Sequence, residues 1–417
     1  MTSSDERAHP RAATHRAIDA VWRIESARVI AGLTRIVRDV GLAEELAQDA
    51  LVAALEHWPT EGVPENPGAW LMTTAKNRGL DRLRRDKRLD RKQSELLLDL
   101  EAERDLSTQT LEDALDQQVG DDLLRLMFIA CHPVLSTESR VALTLRLLGG
   151  LTTEEIARAF LASEPTIAQR IVRAKRTLAE QRVPFELPPA SELGARLASV
   201  LEVIYLVFNE GYSATSGDDW LRPALCDDAL RLGRVMAELM PAEPEVHGLV
   251  ALMEIQASRS AARTTPSGEP ILLLEQDRSR WDQLLIRRGL AALTRAEELG
   301  GRLGSYALQA AIAACHARAR HADDTDWAEI ARLYGVLAER EPSPIVELNR
   351  AVAVGMAFGP QAGLAIVDAI VAAGALAGYH LLPTVRADLL GKLGRRAEAR
   401  GELERAAGMT RNERERA

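Results

Sequence analysis

Asn77, Arg78, Arg82, Arg85, Lys87 and Arg88 crowd the end of one short stretch, GAWLMTTAKNRGLDRLRRDKR, and give it a dense positive charge. From Lys76 to Lys92 there are nine Lys or Arg and three Asp, although the 417-residue chain carries a formal net charge of −9. Glu95 to Asp122 invert the balance, with ten acidic residues against Arg104 alone, and Arg170 to Arg182 restore it with five cations against Glu180. Cations at this density suit a phosphate backbone, whose counterions they displace. A solvated helix whose arginines face the negative end of its own dipole would carry the same residues.

Other chemistry finds less support. Asn209, Glu210, Tyr212, Asp218 and Asp219 form a polar cluster, and Cys131-His132 and Cys315-His316 are adjacent pairs. No Gly-rich phosphate loop, HExxH or GxSxG accompanies them. Neighbouring residues of a helix point to different sides, so neither Cys-His pair can share a metal. No catalytic residue, metal site or cofactor is expected, and the chain is not read as an enzyme. Its three cysteines are scattered outside any CxxC pair, which suits a reducing cytoplasm. The N-terminal stretch lacks an apolar core of signal-peptide length, and no run approaches the ~20 apolar residues that cross a bilayer. Export and membrane attachment are therefore not expected.

These residues must be positioned by helices. Apolar residues recur three and four apart in Ala-, Leu-, Arg- and Glu-rich runs, and aromatics are only 4% of the chain, so the fold class is all-α. Residues 15–92 form a first helical block, 93–120 an acidic linker, 121–183 a second block and 190–417 a third, with three prolines in VPFELPPAS between the last two. Asn66 and Pro67 open the helix that ends in the first basic run. Thr152 and Glu155 predict a capping box, a turn follows at Leu161 and Ala162, and Ser163 caps a second helix whose buried stripe is Ile167, Ile171, Ala174 and Leu178. The remaining faces of that helix carry Thr166, Gln169, Arg170, Arg173, Lys175 and Arg176. This is a helix-turn-helix pattern, with a plain helical hairpin as the alternative.

Three segments, DVGLAEELAQDALVAALEHW, NPGAWLMTTAKNRGLDRLRRDKR and LTTEEIARAFLASEPTIAQRIVRAKRTL, resemble in order and spacing the signatures of bacterial RNA polymerase sigma factors of the extracytoplasmic function (ECF) group. The resemblance covers residues 15–183. It implies a sigma region 2 domain at 15–92 and a region 4 helix-turn-helix domain at 121–183, with core polymerase and promoter DNA as partners. By the same resemblance, the helix with Asp39, Glu44, Glu45, Gln48 and Asp49 would dock on polymerase. Asn77, Arg78, Arg82, Arg85, Lys87 and Arg88 would meet the minus-ten element beside the loop PTEGVPEN, and Thr166, Gln169, Arg170, Arg173, Lys175 and Arg176 would read the minus-thirty-five element. Trp70 suits either a base-stacking platform or a core position.

The last half resembles the tetratricopeptide-like extension of one ECF subgroup. Aligning Gly359 with Gly394 and Ala362 with Ala397 gives a period of 35 residues, close to that of paired-helix repeats. A protein partner or an intramolecular contact is expected for this region, and modulation of activity is its expected role. The competing reading is a free-standing helix-turn-helix regulator with a tetratricopeptide-like sensor. It lacks a need for the polymerase-docking and minus-ten segments.

Overall fold

A computed structural model describes residues 8–85, 112–212, 222–265 and 269–409. They are helical throughout, apart from turns and one isolated bridge between Thr264 and Pro270, as the all-α expectation requires. They form two compact units. One holds the described residues up to Leu239, the other those from Met240.

The first unit opens with α1 (Ala8–Val37), α2 (Val40–Glu61) and α3 (Pro67–Arg85). Asp39 caps α2, its Oδ1 accepting from Leu42 N at 2.8 Å, and Asn66 caps α3, its Oδ1 accepting from Ala69 N at 3.0 Å. Ile30, Leu33, Leu46, Trp58 and Leu71 close the core of this bundle. Trp70 is half-buried, edge-on to Trp58 at 5.3 Å, which ties it to the core.

Next come α4 (Glu112–Ala130), α5 (Thr137–Leu147), α6 (Thr153–Ala159) and α7 (Glu164–Glu180). The expected linker is thus corrected at its end. From Glu112 the chain is helical, because Leu124, Leu126, Met127 and Phe128 give α4 an apolar face and Asp122 reaches Arg35 of α1 at 2.9 Å. The rest of that stretch, 93–111, lies outside the described residues.

The expected break after residue 183 is corrected too. Helices α8 (Ala190–Tyr212) and α9 (Pro223–Leu239) belong to the first unit, and they are bound to α4–α6 at the helix ends. Carbonyls of a helix's last turn have no partner within the helix. Arg196 donates to Phe128 O of α4 at 2.8 Å, Arg231 to Leu148 O and Gly149 O after α5 at 3.2 Å each, and Arg222 to Ala159 O of α6. Ser199 Oγ adds a bond to Cys131 O at 2.7 Å. A Cβ on Gly211 would meet Cys226 N at 2.7 Å, so the glycine is what lets α8 and α9 approach.

The polar residues of α8 are structural as well. Glu210 accepts from Arg222 at 2.5 Å and Tyr212 stacks on Phe208 at 5.4 Å, while Asp218 and Asp219 lie outside the described residues. Cys131 Sγ lies 3.3 Å from Thr144 Oγ1, whereas His132 Nδ1 accepts from Val134 N at 3.1 Å. The two side chains of that pair diverge. Among the described residues no cluster of His, Cys, Asp and Glu could hold a metal.

The second unit runs through α10 (Pro244–Ala257), α11 (Gln283–Glu298), α12 (Ser305–Arg318), α13 (Trp327–Arg340), α14 (Pro344–Phe358), α15 (Pro360–Ala372), α16 (Leu381–Lys392) and α17 (Arg396–Met409). Glu245 of α10 caps α12 by accepting from Tyr306 N at 3.0 Å and Ala307 N at 3.2 Å. The 35-residue period has a structural counterpart. Gly359 at φ 98° joins α14 to α15, and Gly394 at φ 77° sits between α16 and α17, a backbone region in which glycine avoids the Cβ penalty. Leu348, Leu364, Val367, Leu382 and Leu390 pack the two helix pairs into one core.

His316, on α12, is buried against Trp327 with ring centroids 5.2 Å apart. Burial, then the charges of Arg259 and Arg278, push its imidazole from 6.5 down to about 4. The folded chain keeps the ring neutral where the unfolded chain binds a proton, so this contribution is whole above pH 6.5 and drains as the pH falls towards 4. Urea denaturation should therefore show the wild type losing about 2–3 kcal/mol more than His316→Gln between pH 7 and pH 4.5. Equal losses in the two proteins would contradict it.

Candidate nucleic-acid interface

The helix-turn-helix is built by local capping. Thr152 Oγ1 accepts from Glu155 N at 3.1 Å while Glu155 Oε2 accepts from Thr152 N at 2.8 Å, so both halves of the capping box are made. Leu161, at φ 47°, makes the turn, and Ser163 Oγ accepts from Thr166 N at 3.3 Å to start α7. Ile167, Ile171, Ala174 and Leu178 are the buried stripe of α7.

The outward stripe follows from the same geometry. Thr166, Gln169, Arg173 and Arg176 are exposed, with Val172, 63% exposed, among them. These positions recur at three- and four-residue steps and so share one face. Arg176 is paired with Glu180 at 2.7 Å on the surface. Arg170 is half-buried at the edge of the stripe, over a pocket lined by Glu138, Phe160 and Leu206. Val172 was not singled out from the sequence. Its signal was available, since an apolar residue between Arg170 and Arg173 falls outside the buried period.

Lys175 stands apart. It lies nine positions beyond Thr166, half a turn away around the helix. There its Nζ donates to Glu44 Oε2 of α2, and Arg146 Nε of α5 donates to Glu44 Oε1 at 2.5 Å. The Glu44 side chain is 5% exposed, with both oxygens engaged. The expected placements of Glu44 on the polymerase-facing surface and of Lys175 on the DNA-facing surface are thus corrected in this arrangement. Each is turned towards the other because α2 and α7 meet there. Burial holds the Lys175 ammonium below the usual lysine range, against the pull of Asp39.

The other expected docking residues behave differently. Glu45 is exposed and Gln48 and Asp49 half-buried on the next faces of α2, beside Val52, which is 47% exposed. Asp39 is exposed and serves as the cap of α2. On α3, Asn77 is exposed and Arg78 lies 3.9 Å from Glu56. Arg82 and Arg85 fall on the last turns of α3, where only the backbone is described, and Lys87 and Arg88 lie outside the described residues. Two more ion pairs join the blocks. Arg23 of α1 reaches Glu155 of α6 at 2.8 Å, and Asp122 of α4 bridges Arg35 and Arg125 at 2.9 and 2.7 Å.

Comparison with known proteins agrees with this geometry. The sigma-70 region 2 family matches residues 23–89, the sigma-70 region 4 family matches residues 125–178, and a family of unknown function matches residues 196–297. An uncharacterized protein of Rhizobium meliloti (strain 1021) is 44% identical over 387 residues, 92% of this chain and 90% of its own. The ECF RNA polymerase sigma factor SigK of Mycobacterium ulcerans (strain Agy99) is 30% identical over 155 residues, 36% of this chain and 78% of its own. The probable ECF RNA polymerase sigma factor SigI of Mycobacterium tuberculosis (strain ATCC 25618 / H37Rv) is 28% identical over 179 residues, 42% of this chain and 59% of its own. No solved structure matches. The chain belongs to the ECF RNA polymerase sigma factors, which start transcription with core polymerase at promoter DNA.

Stability should separate the two kinds of residue on α7 and α2. Glu44→Ala leaves two cations facing each other in a buried seam and should cost about 3 kcal/mol in urea denaturation. Arg173→Ala should stay within about 0.5 kcal/mol of wild type, since its side chain is exposed. A neutral Glu44→Ala would mean that the ion cluster does not hold α2 to α7.

Proposed function

We propose that the stripe Thr166, Gln169, Val172, Arg173 and Arg176 reads the minus-thirty-five promoter element, with Arg170 at its edge. The observation that carries this is the two-sided character of α7, with one face sealed into the first unit and one polar, cationic face turned outward. Early residues of such a helix meet base edges in the major groove, and its later cations hold phosphates. In the same reading, Asn77 and Arg78, with the basic run to Arg88, serve the minus-ten element. Glu45, Gln48 and Asp49 form the polymerase-facing side of α2. The protein works in the cytoplasm and is not an enzyme. A net charge of −9 fits a subunit that borrows most of its phosphate contacts from polymerase.

For the C-terminal region the reading divides at Leu239. Helices α8 and α9 brace the helix-turn-helix, and the bonds from Arg196, Arg222 and Arg231 to its helix ends support this role. Residues 240–417 form a tetratricopeptide-like platform that modulates initiation through a partner or an intramolecular contact.

Multi-round transcription with core polymerase and a genomic promoter pool tests the reading. Arg173→Ala should weaken cognate promoter recognition by about 1–3 kcal/mol while leaving polymerase binding intact; equal losses on every DNA would mark a phosphate contact instead. Charge reversal of Glu45 and Asp49 together should weaken co-purification with core polymerase. Unchanged binding would move the docking surface elsewhere.

A truncation ending at Leu239 keeps α8 and α9 and should fold, with lower output than the full chain. One ending near Pro188 should lose helical signal from α4–α6 on mild heating. Higher output from the Leu239 truncation would make residues 240–417 an inhibitor.

A further inference from the structure

The second unit holds a largely buried arginine whose Nε is left unpaired. Arg259 follows α10 and is 8% exposed, and its buried Nε has no hydrogen-bond partner. Its guanidinium carbon lies 5.9 Å from the centre of the Trp281 ring. That lies at the outer limit of a cation–π contact. The same ring already carries Arg278 at 4.9 Å.

Arg278 is fully used. It donates to His316 O at 2.5 Å, Ala319 O at 2.8 Å and Thr325 Oγ1 at 3.3 Å, closing the end of α12, and Asp324 is the acidic group that favours its charge. Arg259 Nε has no such partner. Arginine is almost never buried unless paired, because desolvating the charge costs several kcal/mol.

The neighbouring side chains share the deficit. Trp281 is 3% exposed and its Nε1 has no acceptor; His316 is 8% exposed and its Nδ1 has no partner. Each of these nitrogens can donate. A buried donor left unpaired costs about 1–3 kcal/mol, so three such nitrogens in one unit call for a partner. What they lack in common is an acceptor, and a negative one would also offset the neighbouring charges of Arg259 and Arg278.

We propose that the second unit binds a small oxyanion, a phosphate or carboxylate group, on the Arg259 guanidinium with Trp281 Nε1 and His316 Nδ1 as further donors. The charge makes Arg259 the anchor. The two ring nitrogens orient the anion's oxygens, and the apolar faces of Trp281 and Trp327 keep water from competing.

The test uses the full chain in thermal denaturation with inorganic phosphate, acetate or chloride at equal ionic strength. Phosphate or acetate should raise the transition of the second unit by about 2–4 °C over chloride at some five times its dissociation constant. A response to phosphate alone supports a phosphoryl ligand, and a response to acetate as well supports a carboxylate. No response above chloride to either anion overturns the proposal.

Arg259→Met keeps the length of the stem and removes the charge. It should abolish the response while leaving the anion-free protein at least as stable as wild type, since it removes a largely buried charge. Arg259→Lys should keep a weakened response. A full response in Arg259→Met, or an anion-free transition several degrees below wild type, would make Arg259 a packing residue and overturn the site.

Discussion

The buried Glu44 carboxylate ties together the two DNA-related halves of the first unit. Glu44 leaves α2 on the face opposed to α5 and α7 and takes one cation on each oxygen, Arg146 on one and Lys175 on the other. Charges so well enclosed must be paired, and any rearrangement separating α2 from α7 leaves Glu44 without its partners. Further polar contacts of the seam are Arg23 with Glu155 and Arg35 with Asp122. Region 2 and region 4 are thus joined by directional ionic contacts beside the buried apolar faces of α1 and α4. Such contacts set a register, because each cation meets its carboxylate in one relative position of the helices.

The unit is completed by helices that a minimal region 4 does not contain. Short helices such as α5 and α6 have a high ratio of unpaired terminal carbonyls to internal bonds. Arginines of α8 and the start and middle of α9 satisfy those carbonyls and bring positive charge to the negative ends of the helix dipoles. The close passage at Gly211 makes α8 and α9 a fixed pair. The sealed face of α7 then leaves its outward stripe as the surface free to meet a groove.

The second unit solves a different problem. Its helices are small-residue rich and pack through Ala, Gly and Leu, and its long connection between α10 and α11 folds back through short 3₁₀ turns around Trp281. Polar groups are concentrated there, with His316 neutral between two arginines. Charge also organises the packing of α15–α17, where Arg386 meets Asp368 and the buried Glu402.

Much of this was legible in the chain. The capping box at Thr152 and Glu155, the caps at Asn66 and Ser163, and the stripe Ile167, Ile171, Ala174 and Leu178 are local, fixed by bonds or periodicity within one or two turns, and they appear as read. The 35-residue period likewise marks two glycines at positive φ between paired helices, a backbone region in which glycine avoids the Cβ penalty. The partner of Lys175 was not legible. Lys175 and Glu44 are 131 residues apart, and each looks like an exposed charge on its own helix. The arginines of α8 and α9 were hidden for the same reason, as their acceptors are carbonyls, which every residue has. The sequence determined which faces of each helix are apolar and where each helix begins. Only the tertiary structure decided which charged faces meet each other and which stay in solvent, because that depends on how helices distant in sequence are docked.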